Sequence, residues 1–320
     1  MDLSVIIPVY NEEETLPLLF QAVHEAIAPL NLTWEVVLVD DGSRDASPAL
    51  LEQFVQHDPA HYRAILLRRN FGQTAAIAAG IDHSNGDLVV LMDADLQNDP
   101  GDIPAIIAKI NEGYDVVSGW RKNRRDNFAV RTLPSNLANG LISWVTGVHL
   151  HDYGCTLKAY RREILTEFKL YGEMHRFIPV YANSVGARIV EMPVNHHPRR
   201  FGKAKYGLER TLKVILDLIT VKFLNSHANK PIYLFGGAGI GLIFISFIGL
   251  VALFIRRVFL DIPILGSPIF IISTMVLILG FQSILMGLIA ELLVRTYHES
   301  QGKPIYTIRK IVSNSVEGEG

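Results

Sequence analysis

Cysteine is nearly absent from this chain: Cys155 is the single one among 320 residues. An intrachain disulfide is therefore excluded, and a folded part facing the reducing cytosol is expected. Net charge is also scarce, −2 at pH 7. A balance so close to neutral argues against a general nucleic-acid binder. The N-terminus has no basic leader followed by a long apolar stretch. It enters a strand-like run at residue 3, so no secretory signal peptide is expected. Low hydrophobicity is not among the things missing, because 49% of residues are hydrophobic and 19% charged, which excludes a disordered chain. The shortage of charge is concentrated in one place. Between residues 231 and 294 the only charged side chains are Arg256, Arg257, Asp261 and Glu291.

That stretch holds two apolar runs, 231–255 and 269–293, each of 25 residues. A bilayer span needs about 20. A pair of buried core helices is the alternative. Lys203, Lys205, Arg210, Lys213, Lys222 and Lys230 precede the first run, and Arg295, Lys303, Arg309 and Lys310 follow the second. Only Arg256 and Arg257 lie between them, so the positive-inside rule places the large N-terminal part and the tail in the cytoplasm. Gly237 and Gly241 form a small-xxx-small pair suited to close helix packing. Before the first run, Leu208, Leu212, Ile215, Ile219 and Phe223 recur at helical spacing, which predicts an amphipathic helix. It either lies in the headgroup layer or packs as an ordinary surface helix.

The first 200 residues alternate strand-like and helix-like runs. Strands are expected at 4–9, 34–39, 64–67, 88–92 and 116–118, with helices at 13–27, 47–56, 74–83 and 104–111. This alternation implies a mainly parallel sheet covered by helices. Such sheets bind ligands beyond the carboxyl ends of their strands. Polar clusters fall at those ends: Tyr10-Asn11-Glu12, Asp40-Asp41-Gly42-Ser43 and Asp93-Ala94-Asp95-Leu96-Gln97.

The last cluster is the most informative. In an extended stretch alternate side chains point the same way, so Asp93, Asp95 and Gln97 are expected to converge as hard oxygen donors. They would suit Mg²⁺ or Mn²⁺ held partly by substrate phosphates. An acidic turn without a metal is the alternative. Asp40 and Asp41 can accept hydrogen bonds from a base or a ribose, or simply shape an Asp-Gly-Ser turn. Two basic segments follow. One comprises Arg121, Lys122, Arg124, Arg125 and Arg131; the other runs from His196 and His197 through Arg199, Arg200, Lys203 and Lys205. Each is a solvated face, a headgroup contact or a binding site for a phosphate monoester. The adjacent histidines are weak evidence for a metal.

Four stretches carry a resemblance: residues 4–12 (Ser-Val-Ile-Ile-Pro-Val-Tyr-Asn-Glu), Val39-Asp40-Asp41-Gly42-Ser43, Asn70-Phe71-Gly72 and Asp93-Ala94-Asp95-Leu96-Gln97. Together they resemble family 2 glycosyltransferases of the GT-A fold, in the dolichol-phosphate mannosyltransferase-like branch whose bacterial members glycosylate undecaprenyl phosphate. The resemblance implies a Rossmann-like α/β catalytic domain at 1–206. Beyond it come an interfacial amphipathic helix at 207–230, a two-helix transmembrane domain at 231–294 and a cytoplasmic tail at 295–320. The end of the tail, from about 311, is expected to be disordered. The resemblance also implies that Pro8, Tyr10, Glu12, Val39 and Asp41 hold the nucleotide with Asp40 close by, and that Asp93 and Ala94 line the donor site. It implies further that Asp95 and Gln97 bind the metal. Arg121, Arg131 and Ser135 match positions facing the acceptor phosphate, and Arg200 and Lys205 lie in the late basic motif. That motif often has serine before the lysine, where this chain has Ala204. The Gln-x-x-Arg-Trp signature of processive polysaccharide synthases is absent.

The implied reaction is an inverting, metal-dependent transfer of one sugar from a UDP- or GDP-sugar to undecaprenyl or dolichyl phosphate at the inner membrane. Asp93, Asp95 and Arg121 would carry it, with Asp152 orienting acceptor or sugar unless it only forms a turn. The spans admit association of copies of the chain. Transfer to a soluble or protein acceptor, or a non-catalytic membrane scaffold, are the alternatives.

Overall fold

The computed structural model describes residues 1–122, 139–140, 142–144, 146–168, 170, 174–198, 231–260, 263, 267–300 and 305–313. The described chain forms two compact units. One comprises Met1–Val221 and Pro304–Gly320, the other Lys222–Lys303. The segment expected to form an amphipathic helix, 207–230, lies outside the described residues, as do Arg131, Ser135, Arg200 and Lys205.

The first unit is built on a sheet of eight strands. In chain order its elements are β1 (Leu3–Val9), α1 (Leu16–Ile27), β2 (Trp34–Asp40), α2 (Ser47–His57), β3 (Tyr62–Leu67), α3 (Gln73–Asp82), β4 (Leu88–Leu91), α4 (Ile103–Asn111) and β5 (Val116–Trp120). They continue with β6 (Lys158–Arg161), α5 (Arg162–Thr166), α6 (Ile178–Ser184) and β7 (Ile189–Pro193), and after the second unit β8 (Ile308–Val312). The strand order is β7-β5-β6-β4-β1-β2-β3-β8. Strands β1 to β4 are mutually parallel, and β5 is parallel to β7. Strand β6 runs antiparallel between β4 and β5, and β8 runs antiparallel along β3. This is the mainly parallel α/β sheet that the sequence predicts.

The pattern follows from the sequence. Every residue of β2 is buried, and β1 has one half-buried position. Strands covered on both faces read as continuous apolar runs rather than alternating ones. Helix α1 turns Leu16, Leu19, Val23 and Ile27 toward the sheet at helical spacing, with Pro17 in its first turn where a missing N–H costs nothing. Strands β6 and β7 were not legible. They are four and five residues long, and each carries charged side chains.

The second unit is a pair of helices, α7 (Pro231–Leu260) and α8 (Pro268–Ser300). Stretches of 25 and 23 residues within them, Phe235–Phe259 and Pro268–Ala290, contain 18-residue windows of mean hydropathy 2.7 and 2.3. Only 17% and 11% of their most apolar windows is buried within the protein. Core helices of a soluble protein hide such surface, so these two are candidate membrane spans. The close approach is made by Gly239 and Gly280, not by the Gly237 and Gly241 pair. A methyl group on Gly239 would sit 2.6 Å from the Gly280 carbonyl oxygen, whereas Gly237 and Gly241 face open space. Ser246 Oγ donates to the Ser273 carbonyl at 2.7 Å and Ser283 Oγ to the Phe235 carbonyl at 2.8 Å. As partner numbers rise on one helix they fall on the other, so the pair is antiparallel.

Candidate active site

The carboxyl ends of β1, β2 and β4 bring three loops together. The first two are stitched by their own polar side chains. Asn11 N–H donates to Ser43 Oγ and Arg44 N–H to Asn11 Oδ1, each at 2.9 Å. Glu12 N–H donates to Ser47 Oγ at 2.9 Å, and Glu13 accepts from the Ala46 N–H at 2.8 Å. Asn11 adopts φ 52°, a left-handed conformation that asparagine tolerates. Pro8, Tyr10 and Glu12 are half-buried here. Val39 is fully buried within the sheet. Ala94 is also buried.

Asp40 and Asp41 are both buried, and they do different things. Asp40 accepts from the Ser43 N–H and closes its own turn. Asp41 reaches across to the loop between β3 and α3, accepting from Phe71 N–H at 2.7 Å and Gly72 N–H at 2.9 Å. Burial raises both carboxyls above the ordinary range, and the hydrogen bonds they accept oppose it. Gly42 has φ 68° and presses against the backbone of Arg69 and Asn70, where a side chain would not fit. The Arg69 guanidinium lies 4.1 Å from the Phe71 ring centroid. The Asn70-Phe71-Gly72 stretch is thus held from the Asp41 side, and it leads into Gln73, whose amide donates to Asp93 Oδ1 at 2.6 Å.

The 93–97 stretch corrects one expectation. It is not extended: the chain bends at 94–96, Leu96 has φ 57°, and Asp95 Oδ1 accepts from the Gln97 N–H at 3.1 Å. The regular alternation assumed for Asp93, Asp95 and Gln97 is replaced by a turn closed by Asp95. Among the described residues no cluster of three histidine, cysteine or acidic side chains is poised for a metal. The donors at hand are two carboxylates and one amide, an oxygen-only set that fits a hard divalent cation whose remaining ligands come from phosphates and water. Burial and then the neighbouring Asp95 push the Asp93 carboxyl up to about 6, against Thr156, Arg121 and Arg176.

Opposite stands Arg121, at the end of β5. Its Nε donates to Asp152 Oδ2 at 2.7 Å and its Nη2 to Asp152 Oδ1 at 3.0 Å. Asp152 is 1% exposed and also accepts from the N–H groups of Arg121 and Gly154. Burial works against the arginine's charge, and the Asp152 carboxylate more than restores it. The structure therefore gives Asp152 a definite partner: it fixes the Arg121 fork.

Sequence reasoning missed the floor of the site. A small pocket, partly open to solvent, is lined by Asp93, Tyr153, Lys158, His175 and Arg176 among others. Lys158 is 3% exposed, and its Nζ donates to the Tyr153 carbonyl at 3.0 Å. Burial lowers this lysine to about 8 despite nearby Cys155 and Asp152. His175 shares a 2.8 Å hydrogen bond with Thr74, and burial holds it well below the ordinary histidine value. No spacing pattern announced either residue. Lys158 stands in a four-residue strand that carries charged side chains at both ends.

The start of the second basic segment is docked on the acidic turn. His197 N–H donates to the Gln97 carbonyl at 2.8 Å, His196 bridges Asn98, and His197 Nε2 lies 3.0 Å from Asp99 Oδ2. Asn195 binds both carboxylate oxygens of Asp102, at 2.6 and 2.8 Å. The two histidines here seat the chain rather than cluster for a metal.

Comparison with known proteins yields three findings. Residues 4–168 match the family model described as glycosyl transferase family 2. The chain is 42% identical to dodecaprenyl-phosphate galacturonate synthase of Rhizobium johnstonii, over 97% of this chain and 93% of the relative. It is 39% identical to undecaprenyl-phosphate 4-deoxy-4-formamido-L-arabinose transferase of Klebsiella pneumoniae, over the same shares. In fold, it matches the crystal structure of glucosyl-3-phosphoglycerate synthase from Mycobacterium tuberculosis in complex with UDP. The TM-score is 0.50 at 20% identity, over 70% of this chain and 79% of that one.

Proposed function

The chain belongs to glycosyl transferase family 2 and has its GT-A fold; from that premise we propose that it transfers one sugar from a nucleoside-diphosphate sugar to a polyprenyl phosphate at a membrane surface. One observation carries the reading. A turn bearing two carboxylates, Asp93 and Asp95, lies at the carboxyl end of a parallel sheet, and the same unit holds a guanidinium, Arg121, locked by Asp152. That arrangement supplies a place for a metal diphosphate and a fixed cation for a second anion. The full-length likeness to two polyprenyl-phosphate sugar transferases supports the acceptor.

Asp95 and Gln97 would hold Mg²⁺ or Mn²⁺. The ion supplies charge neutralisation for the departing nucleoside diphosphate. The protein's own part is mostly positioning. Asp41 and the loops it ties hold the nucleotide, and Asp93 with Gln73 lines the sugar side. Arg121 aligns the acceptor phosphate together with Arg131, Ser135, Arg200 and Lys205. A phosphate monoester is already an anion near neutral pH, so attack on the anomeric carbon needs no strong general base. A single displacement with inversion follows. The basic residues flanking α7 and α8 favour a catalytic unit and tail on the cytoplasmic side.

The test uses membranes containing the full chain, labelled UDP- and GDP-sugars, and undecaprenyl or dolichyl phosphate. Label should enter the organic phase with divalent metal present, and both chelator and Asp95→Ala should abolish it without loss of membrane insertion. Label remaining wholly in the aqueous phase as a glycosylated product would overturn the lipid acceptor. Full activity with chelator would overturn the metal.

A further inference from the structure

The chain that leaves the second span comes back to the catalytic unit. Strand β8 pairs antiparallel with β3, setting Ala64 against Val312, Ile65 against Ile311 and Leu66 against Lys310. A bulge between Leu66 and Leu67 shifts the register, so that Leu67 faces Ile308. One residue further, Arg68 N–H donates to the Thr307 carbonyl at 2.9 Å. Tyr306 is 6% exposed, and its hydroxyl donates to Asp82 at the end of α3 at 2.8 Å. Lys310 pairs with Glu52 of α2 at 2.9 Å. The strand is therefore fixed to β3, α2 and α3 together.

What it borders gives it a consequence. Arg68 opens the loop whose later residues, Phe71 and Gly72, are held by the Asp41 carboxylate. The same loop delivers Gln73 to Asp93. Its first three residues, Arg68, Arg69 and Asn70, are exposed, and a short exposed loop opens easily unless it is tied at both ends. Asp41 ties one end and Thr307 the other.

We propose that β8, through Tyr306 and Thr307, is a positioning element of the donor site. It fixes the β3–α3 loop so that Asp41 and Gln73 meet their partners. The segment beyond the spans is then part of the machinery that binds the nucleotide sugar. The proposal rests on the reading of the site as a nucleotide-sugar site, but not on the identity of the acceptor.

The experiment uses the full chain in detergent or nanodiscs and two variants. Ile308→Pro removes a strand N–H and constrains Thr307. Tyr306→Phe removes only the bond to Asp82. Hydrogen exchange reads the loop without turnover, so a wrong acceptor assignment leaves this arm intact. Amides of Phe71 and Gly72 should exchange faster in both variants, and the affinity for UDP or GDP with Mn²⁺ should weaken by about tenfold in Ile308→Pro, which is about 1.4 kcal/mol. KM for the nucleotide sugar should rise while KM for the lipid phosphate stays unchanged. Should Ile308→Pro fail to fold, an Ala64→Cys with Val312→Cys bond in the Tyr306→Phe background should restore the donor KM, because directly opposed antiparallel residues lie within disulfide reach. The proposal is overturned by unchanged exchange at Phe71 and Gly72, by equal shifts of donor and acceptor KM, or by a cross-linked enzyme whose donor KM stays raised.

Discussion

Under the proposed function, Asp152 matters to the reaction through Arg121 rather than by touching the substrate. Asp152 is buried against Arg121 by two hydrogen bonds, so it acts through the guanidinium that it orients. Breaking one half of such a buried pair costs about 3–5 kcal/mol, because the other charge is left uncompensated. Asp152→Asn should therefore lower the Tm and lose nearly as much transfer as Arg121→Gln. The double variant should be no worse than Arg121→Gln alone, since both changes remove one unit of function. Kinetics of the four proteins decide this; additive losses would assign Asp152 a separate role. Asp93 gives a second prediction, with its sign set by burial. Its carboxyl lies near 6 in the folded chain against an ordinary 3.8. Between about pH 4 and pH 6 the folded state keeps a proton that the unfolded state has lost, so stability from this group falls as pH rises through that window. Above it, ionised Asp93 is a standing cost. In Tm profiles, Asp93→Asn should gain on the native chain from pH 4 to pH 6, and the gap should be constant at higher pH. A gap independent of pH would show that Asp93 titrates in the ordinary range.

At the scale of elements, legibility tracked how local the determining forces are. Strands β1 to β4 could be read because parallel strands buried on both faces are unbroken apolar runs. Helix α1 could be read because one face repeats at helical spacing. The 93–97 stretch was expected to be extended, and it bends instead. Alternation assumes an extended chain, and the Asp95 side chain instead captures the Gln97 N–H and bends it. Asp41 was identified as a site residue, but its bonds to Phe71 and Gly72 span 30 and 31 positions, and no spacing rule reports them. Strand β8 was the largest surprise. Its five residues, Ile-Arg-Lys-Ile-Val, alternate too briefly to stand out, and their partner β3 lies more than 240 positions earlier. The tail was expected to become disordered from about 311, but Ile311 and Val312 are paired with β3. Burial and pairing at its start come from a contact that only the folded sheet creates.

At the scale of the whole molecule, the helix pair is an insertion. The catalytic unit is interrupted after Val221 and resumes at Pro304, so both ends of the inserted segment belong to one folded body. The pair is itself antiparallel: Phe235 meets Ser283, Gly239 meets Gly280 and Ser246 meets Ser273. An antiparallel hairpin presents its two free ends on the same side, and a single folded body accepts no other arrangement. The basic residues before α7 and after α8 give the same answer by an independent route, because flanking lysines and arginines stay on the cytoplasmic side. Both arguments predict two complete spans, with Pro263 on the far side of the membrane. Single-cysteine labelling tests this directly, since the native Cys155 is buried. In spheroplasts a membrane-impermeant maleimide should label Pro263→Cys at once. It should label Lys310→Cys only after the membrane is opened, because Lys310 is exposed at the surface of the catalytic unit. Equal labelling of both positions in intact spheroplasts would mean that the hairpin dips into the bilayer and returns without crossing it, or that its turn never leaves the cytoplasmic side. The catalytic unit would then be held by an embedded hairpin rather than by two complete spans.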